Sequence, residues 1–139
     1  NSAASMIDFL FSGVLVRHPN LKLMYAESQI GWIPYYLERA DDSYKTHMWA
    51  QGEDRLPEPP SYYYYRQVYS CFFKDTAGMK LLDEVGVDNV LFETDYPHSD
   101  GTFPHSRETA FSLFGHLDDE TVYKLARGNA IKLFDLPFA

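Results

Sequence analysis

Three short apolar runs, at 21–26, 68–73 and 89–94, set the strongest constraint on how this chain can fold. Each is bounded by turn-forming residues and separated from the next by segments with helical periodicity. In the first such segment, 3–17, Met6, Ile7, Leu10, Phe11, Val14 and Leu15 recur at three- and four-residue spacing. His18-Pro19-Asn20 ends it, because proline disfavours helix at the residue before it. A second helix is predicted over 33–47, with Pro34 tolerated in its first turn. A third is predicted over 76–85, stopping at Gly86, and a fourth over 105–114. Asp118 is the expected N-cap of a helix reaching Arg127, with a final turn over 130–134. Strands alternating with helices predict an α/β fold with parallel strands.

Residues 48–66 interrupt that order. Pro57, Pro59, Pro60 and four consecutive tyrosines, Tyr62 to Tyr65, show neither helical nor strand period. The stretch reads as a long aromatic, proline-rich excursion within a single partial domain spanning 1–139, and either a functional loop or a packing flap fits it. The chain opens with Asn1, directly inside a helical pattern, which suggests a piece of something longer.

Composition excludes several classes. Twenty acidic against 12 basic residues give a net charge of −8, so nucleic acid and anionic membranes are not expected partners. No run of 18 apolar residues is present, and no basic start leads into an apolar run. One cysteine, Cys71, excludes an internal disulfide; inside an apolar run it reads as core, not nucleophile. These features together predict a cytoplasmic location. Nucleotide-binding glycine patterns and a Gly-x-Ser-x-Gly elbow are absent.

Parallel α/β folds bind ligands beyond the carboxyl ends of their strands. At those positions stand Glu27, then Lys74 and Asp75, then Asp95 and His98. Carboxylates and an imidazole at one edge can bind a divalent metal or act as acid and base. Each also has a plainer reading. Asp75 is most simply a helix N-cap, Lys74 a solvated rim charge, and Glu27 an acid favoured by a helix dipole. Asp95 equally fits a turn cap around Tyr96-Pro97, and His98 a polar neighbour. Trp32 fits packing or the wall of a substrate pocket.

Five ordered segments carry a resemblance. They are Gly13-Val14 with His18-Pro19-Asn20-Leu21-Lys22; Ala26-Glu27-Ser28 with Gly31-Trp32-Ile33-Pro34 and Leu37-Glu38-Arg39; Pro60-Ser61 through Arg66-Gln67-Val68-Tyr69; Asn89 through Asp95-Tyr96-Pro97-His98; and Gly128-Asn129-Ala130 with Leu133-Phe134. In this order they resemble the C-terminal portion of the amidohydrolase-related family that includes aminocarboxymuconate-semialdehyde decarboxylase. The resemblance implies about three β/α units from the C-terminal part of a (β/α)8 TIM-type barrel. A whole barrel takes roughly 250 residues.

It further implies a divalent metal, most often zinc, and hydrolysis or non-oxidative decarboxylation of a small organic, often aromatic, substrate. Asp95 matches the family's metal-binding aspartate after the eighth strand, and would also act as a base toward water activated by the cation. His98 would contact substrate at the mouth. Glu27 stands where some members carry a catalytic histidine. It would repel a carboxylate substrate unless a cation neutralised it. The family's His-x-His pair and its strand-five histidine belong to a part of the barrel that these residues do not include. The 139 residues alone are therefore expected to bind metal weakly and to be inactive, completed by a missing N-terminal barrel half or by self-association. The competing expectation is a non-catalytic truncated product, or a binding or self-assembling half-barrel module.

Overall fold

A computed structural model describes residues 2–47, 50, 52 and 56–137. Among these residues three strands, β1 (Leu23–Tyr25), β2 (Val68–Phe72) and β3 (Val90–Phe92), form one sheet in the order β1-β2-β3. β3 runs parallel to β2, with Ser70, Cys71 and Phe72 opposite Val90, Leu91 and Phe92. The α/β expectation holds at this level. Each strand is shorter than its apolar run, because the ladder stops where the chain turns toward the loops. The chain divides into two compact units, residues 1–24 with 32–69, and residues 25–31 with 70–139.

The first unit is helical. α1 (Ser2–Phe11) and α2 (Val14–Arg17) occupy the segment predicted as one helix. The break falls at Ser12-Gly13. The Ser12 hydroxyl donates to the Phe9 carbonyl at 2.9 Å and accepts from the Val14 amide at 3.2 Å, and Gly13 takes a left-handed φ of 71°. A serine competing for backbone groups beside a residue free to turn left-handed is a sufficient helix breaker. α3 (Ile33–Thr46) buries Ile33, Leu37, Ala40 and Tyr44 along one stripe, as predicted.

The tyrosine run is helical, unlike its sequence reading. α4 (Pro60–Gln67) buries Pro60, Tyr63, Tyr64 and Gln67, an i, i+3, i+4, i+7 stripe, and leaves Tyr62 and Tyr65 exposed. Four identical residues carry no apolar–polar contrast, so the period is invisible in the sequence. Pro60 suits the first helical position. Ser61 docks on α3, its amide and hydroxyl meeting the Asp41 carboxylate at 2.9 and 2.6 Å. Much of the remainder of the predicted excursion, at 48–49, 51 and 53–55, lies outside the described residues.

The second unit packs Phe72 of β2 and Phe92 of β3 against Phe114 of α7 (Ser106–Phe114), with ring centroids 5.4 to 5.9 Å apart, edge to face. Each such pair adds about 1 kcal/mol beyond its buried area. The predicted 76–85 helix is two pieces, α5 (Thr76–Lys80) and α6 (Leu82–Val85), joined where the Leu81 amide reaches only to the Gly78 carbonyl. Gly78 is the cause. A Cβ there would collide with Ile30 Cγ1 and lie 2.7 Å from Asp75 Oδ2, so the close approach excludes any side chain. Glycine in turn weakens the helix by about 1 kcal/mol relative to alanine.

Gly78→Ala is therefore expected to destabilise the fold. The overpacking cost, about 2 kcal/mol, exceeds the roughly 1 kcal/mol gained in helix propensity. A urea midpoint equal to or above that of the parent protein would contradict this.

The C-terminal helical segment runs from α8 (Asp119–Tyr123) through a π-helical turn at Lys124–Gly128 into α9 (Asn129–Phe134). Asp118 caps it as expected, its carboxylate accepting from the Thr121 amide at 3.0 Å. The continuity across 124–129 differs from the two predicted pieces. At its end the buried Asn129 donates its side-chain amide to the Val87 and Val90 carbonyls, both at 2.7 Å. Those bonds fix the start of β3, and with it the loop that β3 leads into.

Candidate metal centre

β3 runs out through Glu93 and Thr94 into Asp95, and the ladder persists one residue past the strand, Glu93 N donating to Phe72 O at 2.9 Å. Asp95 has a left-handed φ of 54°, and its side chain is only 4% exposed. The loop then returns on itself. The His98 amide donates to the Asp95 carbonyl at 2.8 Å, and the Thr102 amide and hydroxyl donate to the Thr94 carbonyl at 2.9 and 3.1 Å. Lys74, after β2, donates its Nζ to the Asp100 and Gly101 carbonyls at 2.8 Å each. Lys74 is thus a strap across this loop, a role its sequence position gave no sign of.

The loop after β1 is held from the same strand ends. Asp75 caps α5 through the Gly78 amide at 2.7 Å, as predicted. Its other oxygen accepts from the Ile30 and Gly31 amides at 2.7 and 2.6 Å. One carboxylate therefore ends a loop and starts a helix. Gln29 Oε1 accepts from the Phe73 amide at 3.4 Å, and Glu93 Oε1 from the Glu27 amide at 2.6 Å.

These two loops bring Glu27, Asp95 and His98 together, with one ligand atom from each inside a 4.8 Å envelope. His98 Nδ1 lies 2.8 Å from Asp95 Oδ1 and 3.9 Å from Glu27 Oε1. The first is a hydrogen bond and the second a charge contact only. The hydrogen bond to Asp95, with the Asp95 and Glu27 charges behind it, raises the His98 pKa above that of an ordinary histidine. Burial raises the Glu93 pKa, with the neighbouring carboxylates adding to the effect. Burial also pushes the Cys71 thiol up to about 12, helped by its hydrogen bond to Glu93, so Cys71 is no nucleophile.

His98 is therefore expected to keep its proton to higher pH than a free histidine. Its raised folded-state pKa makes the Asp95 pairing fully effective below the unfolded-state value, and the contribution is lost as pH rises through the folded-state value. Asp95→Asn should move the His98 titration, followed by proton NMR of the imidazole, downward. An unchanged midpoint would show that Asp95 does not hold the proton.

Trp32 belongs to the first unit, where its ring meets Tyr36 edge-on at 5.6 Å, and its assignment to substrate binding rests on the sequence alone. An open groove of about 630 Å³ on the second unit, lined by Arg107, Ala110, Phe111, Phe114, Val122 and Ala126 among others, contains none of the three converging residues. Volume and chemistry point to different places, and donor convergence is the stronger guide because reactions need groups rather than space. Glu93 is the residue beside the site that sequence reasoning passed over, whereas Lys74, read there as a solvated rim charge, instead bonds the loop backbone. The signal for Glu93 was an acid closing an otherwise apolar run.

A family model described as Amidohydrolase matches residues 2–136. The chain belongs to the amidohydrolase family. An amidohydrolase from Mycobacterium avium subsp. paratuberculosis K-10 superposes with a TM-score of 0.80 at 25% identity, over 94% of this chain and 32% of that one. A 2,6-dihydroxybenzoate decarboxylase from Rhizobium gives 0.72 at 22% identity, over 98% and 41%. A 5-carboxyvanillate decarboxylase from Novosphingobium aromaticivorans DSM 12444, with bound manganese, gives 0.78 at 18% identity, over 96% and 39%. This amidohydrolase-family chain thus spans about a third to two-fifths of the length of these solved structures. Among the described residues no helix is long and apolar enough to cross a membrane.

Proposed function

We propose that the chain is the C-terminal portion of a (β/α)8 barrel enzyme that hydrolyses or non-oxidatively decarboxylates a small organic compound with the help of a divalent metal. The observation that carries this is the convergence of Glu27, Asp95 and His98 beyond the strand ends. The Asp95 and Glu27 carboxylates form an anionic donor pair suited to zinc or manganese, with the His98 imidazole beside them. Tetrahedral oxygen and nitrogen ligands stand roughly 3.4 Å apart, so the 4.8 Å group must draw together to hold an ion. The residues present fit a metal.

Asp95 would hold the metal through its shielded carboxylate, with Glu27 as a second anionic ligand. The metal, when bound, supplies Lewis acidity and lowers the pKa of water toward about 7. The chain's own groups do the rest. His98, exposed and hydrogen-bonded to Asp95 through Nδ1, would as a protonated ring bind an anionic substrate or donate a proton. The bond to Asp95 orients the ring. The two carboxylates would repel a carboxylate substrate until a cation offsets them, which makes metal binding a precondition for acting on aromatic acids. The family membership and the decarboxylases among its structural relatives support this reaction class.

Two protein ligands without the family's histidines leave the site under-coordinated. Manganese titrated into the 139-residue chain by calorimetry is expected to bind at one equivalent, weakly, with no turnover of hydroxybenzoates or simple esters. Absence of any metal binding would refute the metal centre. Turnover by the chain alone would refute its dependence on further ligands.

A further inference from the structure

Glu27 sits in the loop after β1, whereas Asp95 and His98 share the loop after β3. Its φ of 54° is left-handed, and Gln29 two residues on repeats this at 56°. Non-glycine residues hold such a backbone only where surrounding contacts enforce it. At Glu27 the contact is the 2.6 Å hydrogen bond from its amide to Glu93 Oε1. Glu93 is itself rigidly placed. Its backbone amide is bonded into the β2–β3 ladder at Phe72 O, and its carboxylate also takes the hydrogen bond of the buried Cys71 thiol. No role in metal binding follows for Glu93 directly, since the converging group is Glu27, Asp95 and His98.

We propose that Glu93 is a positioning residue: as a sheet-anchored acceptor for the Glu27 amide, it holds the loop so that the Glu27 carboxylate faces Asp95 and His98. This rests on the metal-centre reading above. The function needed from Glu93 is acceptance of a hydrogen bond, not negative charge, and glutamine retains an acceptor oxygen of the same reach. An alanine leaves the Glu27 amide without its partner, and the left-handed turn without the bond that enforces it.

The test compares Glu93→Ala, Glu93→Gln and Asp95→Asn in the full 139-residue chain. Two readouts are taken: hydrogen exchange at the Glu27 amide without metal, and manganese affinity by electron paramagnetic resonance. Glu93→Ala is expected to lose protection at Glu27 and to weaken manganese binding about tenfold, as outer-shell partners commonly do. Glu93→Gln is expected to keep both near the parent values. If Glu93→Ala does not fold, parent-like protection and affinity in Glu93→Gln support the proposal. Loss of either in Glu93→Gln overturns it, because charge would then be the operative property. Unchanged exchange and affinity in Glu93→Ala also overturn it. A parent chain that binds no manganese overturns both this proposal and the metal-centre reading. Asp95→Asn separates the two: manganese binding unaffected by Asp95→Asn refutes the metal centre, whereas binding lost there but untouched by Glu93→Ala refutes only the positioning role.

Discussion

Asp95→Asn is expected to weaken divalent-metal binding by about 100-fold, the upper end of effects seen even for outer-shell groups. The side chain is 4% exposed, so its carboxylate has little water to satisfy it, and its contact to His98 uses only Oδ1. A shielded carboxylate with an oxygen to spare, beside a second carboxylate, is a strong attractor for a cation. Asparagine keeps the shape and removes the charge. It also presents an amide whose N–H₂ cannot ligate. The variant should fold, because the Asp95 backbone bond to His98 and the Thr94–Thr102 bonds do not involve the changed atoms. Calorimetry on parent and variant, with thermal unfolding as a control, checks it. Equal affinities would place the metal elsewhere or nowhere.

Asp75→Ala is expected to cost about 3 kcal/mol of stability, the largest single effect outside the apolar core. Its two oxygens take three backbone amides, from Gly78, Ile30 and Gly31, at 2.6 to 2.7 Å. Loss of a helix cap alone costs about 1 kcal/mol, and each amide left unpaired away from water about 1–3 kcal/mol. Full additivity would exceed 3 kcal/mol, but the loop relaxes and water reaches part of it. At a urea slope near 1.5 kcal/mol per molar, the midpoint should fall by about 2 M. Asp75→Asn should lie between, retaining the cap but offering one oxygen instead of two. A midpoint change below about 0.5 M for Asp75→Ala would mean that the loop is held by other contacts.

Local chemistry made much of the fold legible. Alternating periods located β1, β2, β3 and α3, and the caps at Asp75 and Asp118 were readable because capping depends on a residue and its next three neighbours. Helix continuity was less legible. Ser12-Gly13 broke α1 from α2 through hydrogen bonds that either outcome would have allowed. The junction of α5 and α6 follows Gly78, whose side-chain space is taken by Ile30, nearly fifty residues earlier. The tyrosine run concealed a helical stripe because residues of one kind show no period until a core selects two of them.

The candidate site divides in the same way. The donor types and their positions just past the strands were readable from chain order, since a residue's place after an apolar run follows from it. Family membership was likewise legible in five ordered motifs. Only the tertiary structure decided which donors meet. Asp95 and His98 are three residues apart and could have been paired on paper, but Glu27 stands 68 residues before Asp95 and meets them only in the fold, its amide bonded to Glu93. Lys74 and Asp75 stood equally close to the strand ends in sequence, yet they bond backbone and build the loops rather than the cluster. The reason is that hydrogen-bond partners distant in sequence are chosen by the sheet register and loop closure, and neither is encoded within a few residues of the groups they bring together.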